Sequence, residues 1–254
     1  MDDLTLSERL RQSGVSRRGF MKFCAATASM MALPPMMIPK IAAALEQARR
    51  PSVIWLSFQD CTGCTESLTR SHAPSIEGLI FDHISLDYHH TLQAAAGDAA
   101  EHAREEAMKA HWGEYLLVVD GSIPLGENGN FSAIAGISNL EMLKEMAEGA
   151  AAIVSVGTCA AYGGLPMANP NPTGAASVEQ IITDKPIVNV PGCPPIPTVI
   201  TGVLAHYLTF GRLPELDHLK RPKVFFGQNI HCLLYTSPSP RDERRYRVCR
   251  LLLE

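Results

Sequence analysis

Four cysteines placed just beyond short apolar runs constrain this chain more than any other feature. Cys61 and Cys64 stand in Asp60-Cys61-Thr62-Gly63-Cys64-Thr65-Glu66-Ser67, Cys159 in Gly157-Thr158-Cys159-Ala160-Ala161-Tyr162-Gly163-Gly164, and Cys193 in Val190-Pro191-Gly192-Cys193-Pro194-Pro195. Each group comes directly after an apolar stretch of strand length. If those stretches are parallel strands of one sheet, their carboxyl ends share an edge, and side chains far apart in sequence meet there. The pattern predicts a parallel sheet with a four-thiolate metal site at that edge.

The remaining sequence agrees with such a sheet. After Pro51, β-branched runs alternate with helix-like stretches, as expected where helices cover both faces of parallel strands. The predicted strands are 53–58, 83–88, 115–120, 151–157 and 187–190. Predicted helices are 92–109, 139–148, where Leu140, Leu143 and Met146 recur at helical spacing, and 197–210, closed by Gly211. Five strands with intervening helices predict a flavodoxin-like doubly wound domain over residues 49–212. A chain of 254 residues with 46% hydrophobic side chains is long enough for one such domain and some additional segments. With 22 Lys and Arg against 26 Asp and Glu, it lacks the basic footprint of a nucleic-acid binder, so no nucleic acid partner is expected. No phosphate-cradling Gly-x-Gly-x-x-Gly occurs, and a flavodoxin-like fold need not bind flavin.

Residues 1–48 have the form of a twin-arginine signal peptide and are expected to stand outside the fold. Ser16-Arg17-Arg18-Gly19-Phe20-Met21-Lys22 precedes a weakly apolar stretch over 23–38, broken by Pro34 and Pro35. That stretch is shorter than the roughly 20 residues that span a bilayer. Small residues at Ala42, Ala43, Ala44 and Ala48 offer cleavage sites, and Cys24 would leave with the signal. The alternative is an amphipathic helix with a chance arginine pair. Twin-arginine export carries folded proteins, which suits a cofactor inserted before export to the periplasm.

Thiolate sulfur suits iron–sulfur clusters or zinc, and Cys-x-x-Cys lets one loop supply two ligands. A redox dithiol would account for Cys61 and Cys64 but leaves Cys159 and Cys193 unexplained. Structural zinc remains open, although zinc ribbons use two close pairs rather than one pair and two distant singles. The pattern favours a four-iron cluster, with glycines letting backbone amides approach its sulfides. Glu66 faces a partner or a proton path, or is a solvated carboxylate at a helix start, and His89 and His90 read as loop or capping residues at a strand end.

Taken together, residues 16–22, 61–67, 85–97, 121–124, 157–164, 170–175 and 190–195 resemble the small subunit of exported, uptake-type nickel–iron hydrogenases. The resemblance implies that Cys61, Cys64, Cys159 and Cys193 bind the proximal [4Fe-4S] cluster. It also implies a partner large subunit holding the Ni–Fe centre, where H2 gives 2 H+ and 2 electrons, so that this chain relays those electrons without cleaving hydrogen itself. Members of the family also carry a medial [3Fe-4S] and a distal [4Fe-4S] cluster in a second domain, of which residues 213–231 are expected to be the truncated start. His231 is similar to the family's histidine ligand of the distal cluster, but the family's cysteine three residues on is Leu234 here, and Cys232 and Cys249 fit neither spacing. Residues 232–254 are therefore expected to be a non-native tail, against the alternative of a lineage-specific ending. Further partners implied are a membrane cytochrome b or a periplasmic cytochrome c, with any membrane association made through a partner or through sequence beyond the truncation. From another class, the alternative is a structural zinc-binding partner module with no redox role.

Overall fold

The computed structural model of the chain describes residues 17–30, 33–47, 50–72, 75, 76, 79 and 84–228. Five parallel strands form its central sheet: β1 (Ser52–Ser57), β2 (Ser85–His89), β3 (Leu116–Asp120), β4 (Ala152–Val156) and β5 (Ile187–Val190). Their spatial order is β2-β1-β3-β4-β5, the order of flavodoxin-like sheets. Since β2 and β3 flank β1, the chain departs in opposite directions from β1 and from β3, and a crevice opens at their carboxyl ends.

Strands β1, β3, β4 and β5 are mostly apolar because both faces of the sheet are covered, while the edge strand β2 is only half-buried over its first three residues. Every residue of β1, β3, β4 and β5 is buried. Ile54, Leu56, Leu117, Val119 and Ile153 point to one face, where they meet Ala107 and Met108 of α4 (Asp98–Ala110) and Met142, Leu143 and Met146 of α5 (Asn139–Glu148). Val53, Trp55, Leu116, Val118, Val154 and Val188 point to the other. There they meet Leu68 of α3 (Gly63–Thr69) and Val199, Ile200, Val203 and Leu204 of α7 (Pro197–Phe210). Each large aliphatic side chain so buried contributes about 1.5–3 kcal/mol relative to exposure.

Helix limits are set by their caps. At the start of α5 the Ser138 hydroxyl accepts from the Glu141 N–H at 3.2 Å, and at the end of α7 Gly211 takes a left-handed φ of 62°, both at the predicted boundaries. Helix α4 begins at Asp98, later than the expected start at residue 92. Gly97, at φ 59° and ψ −139°, is incompatible with helix, and the Gln93 side chain turns back to accept from the His89 N–H. Strand β2 runs to His89, so this residue belongs to the sheet rather than to the loop after it.

The two helices before Pro51, expected to stand outside the fold, pack on the body of the protein. Helices α1 (Arg17–Met30) and α2 (Ile38–Gln47) enclose Cys24, Ala28, Ile41 and Ala42, and Phe210 at the end of α7 packs against this cluster. Among the described residues no helix is long and apolar enough to cross a membrane. At the other end, Leu213, Leu216, Phe225 and Phe226 continue onto the sheet face of α7, and the Asn189 N–H of β5 donates to Lys220 O at 2.8 Å. His231 and the expected tail 232–254 lie outside the described residues.

Candidate metal centre

Three loops at the carboxyl edge of the sheet each deliver thiols to one place. After β1, Gln59 and Ser122 exchange backbone N–H···O bonds of 3.1 Å, which hold this loop against the end of β3. Thr62 then adopts a left-handed φ of 63°, its N–H donating to Asp60 Oδ2 at 2.5 Å, and the chain reverses between Cys61 and Cys64 before entering α3. A backbone in this region is uncommon for a β-branched residue, and the Asp60 carboxylate offsets its cost. After β4, Gly157 turns the chain at φ 86° into α6 (Gly157–Tyr162), whose first turn carries Cys159. Cys193 stands in the loop after β5.

Hydrogen bonds fix these loops to one another. The Thr158 N–H donates to Gly192 O at 2.8 Å, and the Gly192 N–H donates to Thr158 Oγ1 at 3.1 Å. The Ser67 hydroxyl of α3 donates to Pro195 O at 2.5 Å. As a result Cys61, Cys64, Cys159 and Cys193 line a single pocket, floored by Gly121 and Gly192 and enclosing about 300 Å³ including its open mouth. Two glycines make room for sulfur. A Cβ at position 157 would stand 2.5 Å from Cys64 Sγ, and one at position 164 would stand 2.6 Å from Cys159 Sγ.

All four thiols are free. Burial pushes the Cys64 thiol well above the usual range, reinforced by the charge of Asp120 and by the neighbouring thiols. Burial likewise raises Cys159, with Cys193 next in effect. Four thiolates so close together are stable only around a cationic group, whose binding displaces their protons. Among the described residues no three His, Cys, Asp or Glu side chains close on a point that would hold a single ion. The soft sulfur donors of the cysteines fit an iron–sulfur cluster or a zinc ion.

Sequence reasoning missed the polar chain below the pocket. His89, expected in a loop, is fully buried and stacks on Trp55 with ring centroids 5.1 Å apart. Burial, with the charge of His90 adding to it, lowers its pKa to about 4, so the ring is neutral. Asp120, at the end of β3, is also fully buried. Burial and the like charge of Asp60 push it up to about 7 against the hydrogen-bond donors around it. Thr65, one residue after Cys64, lies 3.3 Å from His89 Nε2 and 3.4 Å from Asp120 Oδ2. The sequence signal was a carboxylate closing the run Leu116-Leu117-Val118-Val119 just before Gly121. Glu66 pairs with Arg70 at 2.6 Å on the exposed side of α3.

Fold and pocket define a doubly wound α/β protein with four thiols at its topological switch edge, and comparison with known proteins places it further. The family described as NADH ubiquinone oxidoreductase, 20 Kd subunit, matches residues 61–207. The uptake hydrogenase small subunit of Azotobacter vinelandii is 47% identical over 92% of this chain and 65% of its own length. The hydrogenase-1 small chain of Citrobacter freundii is 47% identical over 91% of this chain and 62% of its own. The chain thus spans less than two thirds of these relatives. A crystal structure of a reduced, active form of the Ni-Fe-Se hydrogenase from Desulfomicrobium baculatum superposes with a TM-score of 0.69 and 38% identity, covering 72% of this chain and 73% of that one. The chain belongs to the 20 Kd subunit family, among the small subunits of nickel–iron hydrogenases.

Proposed function

We propose that this chain is the electron-relay subunit of an exported nickel–iron hydrogenase. Its activity is that of the heterodimer, H2 to 2 H+ and 2 electrons, with hydrogen cleaved at the Ni–Fe centre of a separate large subunit. The observation that carries this reading is the convergence of Cys61, Cys64, Cys159 and Cys193 on one pocket at the carboxyl edge of the sheet. These residues would hold a proximal [4Fe-4S] cluster, which supplies reversible one-electron storage. The protein's own contribution is positional. Gly157 and Gly164 admit the sulfurs, the Thr158–Gly192 bonds lock the two single-cysteine loops together, and Ser67 ties the paired-cysteine helix to them.

The rim is suited to a partner. Leu165 is 84% exposed and Ile196 64% exposed, in the segments that follow Cys159 and Cys193, and they offer apolar surface to a large subunit. Outward from the pocket, the family's medial [3Fe-4S] and distal [4Fe-4S] clusters would pass electrons to a membrane cytochrome b or a periplasmic cytochrome c, with His231 as a distal-cluster ligand. The alternative occupant is a structural zinc, in which every sulfur lies about 2.3 Å from one ion. Anaerobic reconstitution of the chain and subsequent metal analysis separate the two. The expected result is about four iron and four acid-labile sulfide per chain, and a single zinc with no sulfide would overturn the cluster.

Export rests on Arg17 and Arg18. Changing both to lysine keeps the charge but removes the fork-shaped guanidinium groups, and the precursor is expected to stay in the cytoplasm together with any bound large subunit. Cell fractionation checks this, and undiminished periplasmic accumulation would exclude a twin-arginine route.

A further inference from the structure

The segment before Pro51 rests on the body of the protein by its apolar side. Phe20, Cys24 and Ala28 recur every four residues and so share one face of α1. Cys24 and Ala28 are buried there together with Ile41 and Ala42 of α2, and Phe20, Leu33, Met37 and Ile38 pack around them. The connection between the helices holds them in place, since the Leu33 N–H donates to Ala28 O at 2.8 Å and Pro35 opens a 3₁₀ turn, Pro35–Met37, that leads straight into α2. Both helices contact α7, whose contribution to the cluster is Phe210. The Phe210 ring is itself supported: it lies 4.8 Å from the ring of His206, and His206 Nδ1 is 3.1 Å from Arg212 O beyond the end of α7. Charge stays in solvent, with Arg18 and Lys22 exposed.

We propose that this contact is an autoinhibitory latch, in which Phe210 holds the apolar stripe of the export signal against the body and withholds it from the translocase until the stripe lifts off. The inference rests on the export reading above. An export signal offers a charged segment followed by an apolar one, and in the docked arrangement only the charged segment faces solvent. Processing is withheld too. Ala42 and Ala44 form an Ala-x-Ala cleavage pattern, and Ala42 is buried within α2. A stripe held in this way binds a second site only through its undocked fraction, so its apparent affinity for that site is reduced by the same fraction.

The test uses the full chain and two readouts that scale with that one undocked fraction. The first is alkylation of the buried Cys24 thiol, resolved by peptide mass spectrometry with the exposed Cys61 as internal reference. The second is binding to inner-membrane vesicles that contain the twin-arginine translocase. Phe210→Ala is expected to speed Cys24 alkylation about tenfold, to leave Cys61 alkylation unchanged, and to strengthen vesicle binding by the same factor. His206→Ala, which removes the ring supporting Phe210, acts the same way by less, and it carries the measurement if Phe210→Ala fails to fold. Cys24 alkylation as fast as that of Cys61 in the wild-type chain, or unchanged in the folded variants, would overturn the latch. Faster alkylation without tighter vesicle binding would overturn it as well. If the wild-type chain and both variants bound vesicles no better than a chain with Arg17 and Arg18 changed to lysine, the export reading would fall and the inference with it.

Discussion

Replacement of Cys159 by alanine is expected to abolish the metal centre while leaving the domain folded. Cys159 is half-buried in the first turn of α6 and makes no disulfide. Its removal takes little apolar area from the core, and the unfolding midpoint of the unloaded chain should fall by no more than a few degrees. The consequence for the pocket is far larger, because three thiolates leave one metal position open to water and hydrolysis. Iron and sulfide should drop from about four of each to near zero, with loss of visible absorbance and of the reduced-state resonance. Cys24→Ala supplies the control. Cys24 is as thoroughly buried as any residue, but it sits between α1 and α2, away from the pocket. Its variant should retain full iron. If Cys159→Ala kept its iron, or Cys24→Ala lost it, the four-cysteine assignment would not stand.

The contrast between these two cysteines marks the part of the structure that was legible in the sequence. Cys159 could be placed because strands buried on both faces read as unbroken apolar runs, and a parallel sheet aligns the residues just beyond their carboxyl ends. Helices α5 and α7 were equally legible, since Ser138 and Gly211 act within a turn of the residues they cap. Cys24 could not be placed, because nothing in the local pattern of α1 and α2 reveals that Phe210 packs against them. His89 and Asp120 failed for the same reason. Their environment is made by Thr65, 24 and 55 positions away in sequence, and by the stack on Trp55. A buried polar chain has no periodicity, so local patterns leave His89 to a loop or cap and read Asp120 only as the end of its strand. The late start of α4 was a different error: three alanines before Gly97 looked helical by propensity, but the left-handed backbone at Gly97 sets the boundary.

Gly157→Ala is expected to damage both the fold and the sulfur site, for two separable reasons. The first is backbone conformation: Gly157 has φ 86°, where an L side chain costs about 1–2 kcal/mol. The second is space, since the new Cβ would lie 2.5 Å from Cys64 Sγ, well inside van der Waals contact. Cys64 cannot simply swing aside. It comes directly after the tight Thr62 turn, and its Sγ lies against Val156 O at 3.8 Å on the strand leading into Gly157. Overpacking of this kind costs about 1–3 kcal/mol more, and together the two effects should lower the unfolding midpoint by roughly 5–15 °C. Gly136→Ala isolates the backbone part. Gly136 has a similar φ of 79° but nothing within 4 Å of its would-be Cβ, so its variant should lose only the smaller share of stability and bind iron normally. Gly157→Ala should also displace one of the four sulfurs and lose iron, a result that backbone strain alone does not produce. Equal destabilisation by the two variants with iron retained in both would show that position 157 is glycine for its turn and not for the sulfur beside it.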